Sequence, residues 1–451
     1  MVGVRSFLAD QKCGRADLIV LVIVALVVGA SLVDHDMWFD ELQAWGIARS
    51  SNGLGDLYGN LRYEGHPPLW HVALFVLTRF TGDPHWMQFL AWVLSMASMV
   101  ILLFLAPWPR WCRYMVAFGY FFLFEYSVIA RSYGLGVFLL LAALVAHRSG
   151  NGRLRTLMLC LLAFTSLMGI VISLSFAILF LLQRQMATVM ALFTSCAISV
   201  VLAMPPGDSA VGAGFGGVFG ESLLQRVMTA LATPLNGLIP IPQDGRWNTL
   251  AIGMLPLWAQ VLASIGLVTA ISWALTGAAR TIWMAGVVGY VAFFGIAYPP
   301  SSVRHIGHIS LLLIAACWIR PPQLRGRFPQ ILFVGLLSVQ MAVGVQISLR
   351  YFDVPFGPNE HIANQVEAFG SEKLLVAQDL LAGIPIGAYL DKPVYTVGTD
   401  GPVRFVTYDR KSYEKTKMNT REATVALGET LRKSTGQGVV VLLVGETLVL
   451  D

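Results

Sequence analysis

Two adjacent carboxylates, Asp40 and Glu41, stand in the run Trp38-Phe39-Asp40-Glu41. A third acid and a histidine, Glu64 and His66, close the same polar stretch in Glu64-Gly65-His66-Pro67-Pro68. Two further groups carry chemistry: Glu125 to Tyr133, with Glu125, Arg131 and Tyr133, and the pair Arg304-His305. A positioned carboxylate takes a proton from an attacking hydroxyl, and cationic groups in a low-dielectric cleft stabilise a phosphate leaving group. Asp40 suits the first task. Arg131, Arg304 and His305 suit the second, with Glu64, His66, Glu125 and Tyr133 as substrate contacts.

The elements that must position these groups are apolar. The 451-residue chain is 56% hydrophobic and 13% charged, where soluble domains carry about a quarter charged residues. The composition predicts an α-helical polytopic membrane protein. Its net charge of +5 comes from arginines clustered between apolar runs, a positive-inside pattern that argues against a nucleic-acid partner. The five cysteines suggest neither a disulfide framework nor a thiolate metal site.

The basic start, Arg5, Lys12 and Arg15, places the N-terminus in the cytoplasm, and Leu18 to Val33 crosses outward as an uncleaved helix. Residues 34–85 are then the first outer loop. Within it, at about 100° per residue, Trp38, Leu42, Trp45 and Arg49 share one helix face, which predicts a helix lying flat at the membrane interface. Pro67 to Phe80 is shorter than the roughly 20 residues of a span and is read as re-entrant. Trp86 to Ala106 runs inward, Tyr114 to Phe124 outward and Tyr133 to Ala146 inward. Thr156 to Gln183, about 42 Å as one helix, is read as a hairpin turning near Met168-Gly169. Met186 to Met204 leads outward to a second outer loop, 205–248, whose run GAGFGG is read as a flexible loop because it lacks the Lys-Ser/Thr signature of a phosphate cradle. Thr249 to Ala274, Ile282 to Ala297, Ile309 to Trp318 and Gln330 to Ile347 complete about eleven spans, with a third outer loop from Pro299 to His308.

Six of the seven lysines follow Arg350. This shift divides the chain into a membrane domain, 1–350, and an extracytoplasmic domain, 351–451. Short β-like runs at 374–377, 394–397, 405–408 and 439–444 make the latter a small α/β domain.

Plainer roles exist for each group. Asp40 could cap its helix, Glu41 could pair with Arg49 or Arg62, and Glu125 could neutralise Arg131. Arg304 and His305 could be ordinary interface residues, as Trp38, Trp45, Trp70 and Trp86 could be interface anchors.

The order Trp38-x-Asp40-Glu41, then Gly65-His66-Pro67-Pro68-Leu69, then Ala130-Arg131-Ser132-Tyr133-Gly134-Leu135 resembles the GT-C glycosyltransferases. The likeness is to the branch of protein O-mannosyltransferases and of the aminoarabinose and galacturonic acid transferases acting on lipid A. It covers about the first 180 residues. It implies transfer of a sugar from a polyprenyl-phosphate donor to a lipid, glycan or protein acceptor outside the membrane, with inversion. By the same resemblance Asp40 is the base, Glu41 orients acceptor or donor, and an arginine, for which Arg304 is chosen, binds the donor phosphate. Glu125 matches a second acidic residue by place rather than by motif. The D-x-E that binds metal in some relatives is absent, so no cofactor is expected, with a divalent metal left open. The implied setting is the bacterial inner membrane, among membrane lipids, with the C-terminal domain periplasmic. A transporter or flippase of a lipid-linked glycan is the alternative; such proteins commonly carry internal repeats, and none is evident here.

Overall fold

A computed structural model describes residues 14–210, 222–298, 300, 302–322, 326–354, 356–417 and 419–450. Arg5, Lys12, Cys13, the GAGFGG run and Arg325 lie outside them. The described residues are mostly helical, 70%, with one small sheet among them. Among the described residues, six helices are long and apolar enough to cross a membrane: Arg15–Asp34, His85–Leu105, Met186–Ala203, Leu257–Ala274, Ala278–Ile296 and Arg327–Phe352. Other segments read as spans form shorter apolar helices, among them Ser132–Arg148 and Leu167–Leu182. Tyr114 to Phe124 is not one helix: Arg110–Ala117 ends, and a π-helical turn, Phe121–Glu125, follows.

The chain falls into two compact units, and the division differs from a cut at residue 350. The first unit contains 1–33, 91–202 and 218–353; the second joins 34–90 and 203–217 to 354–451.

In the first unit, helix boundaries follow from caps. Gly152–Ala163 ends, and Ser166 then accepts a hydrogen bond from the Gly169 N–H at 3.0 Å to begin Leu167–Leu182. The hairpin expected over 156–183 is present, with its turn at 164–166 rather than at Met168-Gly169. Gly169 lies beyond the turn, inside the second helix, where the Leu162 carbonyl occupies the space a Cβ would need. The stretch 205–248 is not wholly loop. Leu223–Leu238 is a helix with Ala230, Ala232, Leu235 and Leu238 buried. Arg226 and Pro234 lower its hydropathy, which is why it read as a connector.

In the second unit the sheet order is β2-β1-β3-β4, from Leu374–Ala377 (β1), Val394–Tyr395 (β2), Val439–Leu443 (β3) and Glu446–Leu450 (β4). β1 pairs in parallel with β2 and β3, and β3 with β4 antiparallel, through a turn at Gly445 with φ 83°. Phe405 to Tyr408 is not a strand, and β4 was not anticipated. Side chains of β1 and β3 alternate between two apolar faces. Leu375, Ala377, Val440 and Leu442 pack with Ala363, Val366 and Ile384; Val376, Val439, Val441 and Leu443 pack with Val425 and Leu431. Phe39 joins the first face, so the segment carrying Asp40 is built into the core of the α/β unit.

Candidate functional site

In the second unit, Phe39–Ser50 is a helix with Glu41 to Ala48 all buried. A helix buried all round is not one lying flat at a lipid surface: Trp45, and Trp70 of the Leu69–Leu77 helix, are each 1% exposed and serve as core rather than anchors. Gly46 permits this packing, since the Arg404 carbonyl fills the place of a Cβ. Asp40 is half-buried in the first helical turn, where a carboxylate complements the N-terminal dipole. Glu41 meets His35, not Arg49. Its Oε2 lies 2.8 Å from His35 Nε2 and accepts from the Trp38 N–H at 3.2 Å, and both pair side chains are fully buried. Gln88 Nε2 donates to the His35 carbonyl at 2.8 Å. This network fixes the backbone on either side of Asp40.

Gln43 pairs with both backbone groups of Val406. Its Oε1 accepts from the Val406 N–H and its Nε2 donates to the Val406 carbonyl, both at 2.8 Å. The same Nε2 donates to Glu64 Oε1 at 2.7 Å, and His66 Nδ1 lies 2.7 Å from the Glu64 carbonyl. Glu64 and His66 are thereby tied to the Asp40 helix. Gly65 between them holds φ 69°, a left-handed conformation that favours glycine. Asp36 is 7% exposed and meets the Glu360 N–H at 3.3 Å and the Tyr389 hydroxyl at 3.2 Å. Burial raises its pKa above the ordinary 3.8 despite these hydrogen bonds. Arg49 donates through Nε at 3.1 Å and Nη2 at 2.7 Å to Asp391, which also receives Arg404 Nη1 at 2.7 Å.

In the first unit, Glu125 is fully buried at the end of the π turn, a local helix form frequent at functional sites. Its Oε2 accepts from the Tyr120 hydroxyl at 2.6 Å and Trp247 Nε1 at 2.9 Å. Arg131, 6% exposed, is the N-cap residue of Ser132–Arg148. Gly134 in that helix lets the backbone approach Tyr126, whose carbonyl would stand 2.8 Å from a Cβ. The Tyr133 hydroxyl lies 2.9 Å from His305 Nε2. Arg304 and His305, 9% and 7% exposed, lie on the four-residue helix Val303–Ile306. Asn248 Oδ1 accepts from the Val303 N–H at 2.9 Å and fixes its start. The Tyr126 hydroxyl donates to the Arg304 carbonyl at 2.7 Å and lies 3.1 Å from His308 Nδ1. At the break before His308–Ile319, Gly307 makes room for the Phe121 ring.

The candidates therefore form two groups: Asp40, Glu41, Glu64 and His66 in one unit, and Glu125, Arg131, Tyr133, Arg304 and His305 in the other. Sequence reasoning missed His35, Asp36 and Tyr389 in the former and Tyr120, Tyr126, Trp247, Asn248 and His308 in the latter. His35 and Asp36 directly precede the carboxylate pair, and that adjacency was the available signal. Among the described residues, no group of three or more His, Cys, Asp or Glu is placed to hold a metal ion. No protein-family model and no curated protein sequence matches this chain.

Proposed function

We propose that this protein is a membrane glycosyltransferase that moves a sugar from a polyprenyl-phosphate donor to an acceptor outside the bacterial inner membrane. The observation that carries the proposal is the buried group Arg131, Tyr133, Arg304 and His305 among apolar helices. Ionisable side chains are costly in such a setting, and they commonly mark a substrate path. Two guanidiniums and an imidazole suit the phosphate of a lipid-linked sugar. The hydrogen bond between the Tyr133 hydroxyl and His305 Nε2 helps to orient the imidazole.

The acceptor hydroxyl gives its proton to Asp40 as its oxygen attacks the anomeric carbon. The bond from that carbon to the phosphate oxygen breaks, and polyprenyl phosphate leaves with the electron pair. Attack opposite the leaving group inverts the anomeric centre. Glu41, engaged by His35 and Trp38, holds the turn that presents Asp40.

Asp40→Asn keeps the shape of the side chain and removes the base. Sugar transfer is expected to fall by about 10²-fold or more, with donor binding and thermal stability unchanged. Release of polyprenyl phosphate from a labelled donor, followed in the full-length protein, measures this. Full retained transfer would overturn Asp40 as base.

A further inference from the structure

We propose that Arg155 is the centre of a binding site for the phosphate of an anionic glycerophospholipid, formed where Ser132–Arg148, Gly152–Ala163, Leu167–Leu182 and Met186–Ala203 turn into one another.

Arg155 is 8% exposed. Its guanidinium carbon sits 4.0 Å from the centre of the Phe180 ring. Nη2 donates to Gln185 Oε1 at 2.7 Å, and Nη1 lies 3.5 Å from His147 Nδ1. Both are neutral acceptors in ordinary form, and Nε is buried without a hydrogen-bond partner among the described residues. A buried guanidinium without an anion is expensive. No acidic residue occurs in the sequence between Glu125 and Asp208, and among the described residues Arg155 makes no ion pair. The compensating charge must come from outside this part of the chain.

The surroundings select the anion. Arg148, Arg153 and Arg184 are exposed on the same connecting segments, and the Thr156 and Thr188 hydroxyls, 3.2 Å apart, hold the two segments together. Buried Arg155 and three exposed arginines, on a stretch of chain that holds no Asp or Glu, suit a phosphate. Leu157, Leu181, Leu182, Met186 and Met190 are exposed on the adjoining helices. A phosphate carrying acyl chains satisfies both features, because the chains cover these side chains while the head group meets the arginines. A free phosphate would leave the apolar surface bare.

This site shares with the transferase reading only the membrane setting of the apolar helices, and its test reads lipid retention rather than sugar transfer. Full-length protein, delipidated in detergent, is titrated with dioleoylphosphatidylglycerol, with the matched phosphatidylcholine and with inorganic phosphate. Bound lipid is counted by native mass spectrometry. Phosphatidylglycerol is expected to be retained about tenfold more tightly than phosphatidylcholine. The double variant R153Q/R184Q, altered only at exposed positions, should weaken that preference, and Arg155→Gln should remove most of it. Equal retention of the two lipids, or an unchanged preference in R153Q/R184Q at an unchanged melting temperature, would overturn the site. Inorganic phosphate binding as tightly as phosphatidylglycerol would overturn the lipid assignment.

Discussion

Glu41 shows what a carboxylate does when it is fully enclosed. Its contacts with His35 Nε2 and the Trp38 N–H make it a brace for the turn before Asp40. Removing one partner of a buried pair leaves the other without compensation. Glu41→Ala is therefore expected to cost about 3–5 kcal/mol, and Glu41→Gln less, because the amide oxygen still accepts from Trp38. Thermal unfolding of the two variants measures the difference, and equal costs would count against the brace. Asp391 is the opposite case, with its side chain 36% exposed. Burial alone would raise its pKa, but hydrogen bonds and charge from Arg49 and Arg404 outweigh this and lower it below 3.8. The folded state then binds fewer protons than the unfolded chain, so the contribution is present above pH 3.8 and lost as pH falls through the lowered value. Asp391→Asn should cost about 1 kcal/mol near neutrality after solvent screening, since Asn also tolerates the φ of 47° held here. Denaturation at several pH values checks whether the gap between variant and wild type closes in acid. A gap independent of pH would contradict the assignment.

Elements are set by close approaches as much as by hydropathy. Between Val303–Ile306 and His308–Ile319, Gly307 accommodates the Phe121 ring, so the π turn that ends at Glu125 and the short helix of Arg304 and His305 are packed at one point. Gly307→Ala should destabilise by about 1–3 kcal/mol through overpacking, with partial recovery on adding Phe121→Leu. Gly335 lies in the Arg327–Asp353 helix with open space at its Cβ position, and Gly335→Ala should stabilise by about 0.5–1 kcal/mol. Melting temperatures that move the same way in both variants would refute the packing account.

Across the whole molecule, the α/β unit takes residues from three separate parts of the chain. Phe39 packs on its sheet, Gln43 satisfies both backbone groups of Val406, and Asp36 meets the first turn of Asn359–Ala368. A fragment of residues 354–451 should therefore be less stable than the same residues in the full chain. Amide exchange at Val406 should be faster in the fragment, and equal protection would show that the domain is self-sufficient. Much of the architecture was legible in the linear order of residues. Apolar length marked the long helices, and β runs at 374–377 and 439–444 anticipated β1 and β3. Hydropathy is additive along a chain and needs no partner to be read. Asp40 and Glu41 were also visible as a pair, but not that Glu41 is enclosed by His35, nor that Trp45 is core. Only the tertiary structure decided these, along with Trp247 on Glu125 and Gln43 on Val406. The last two join groups far apart in sequence, and such a hydrogen bond leaves no periodic trace in the segments it connects.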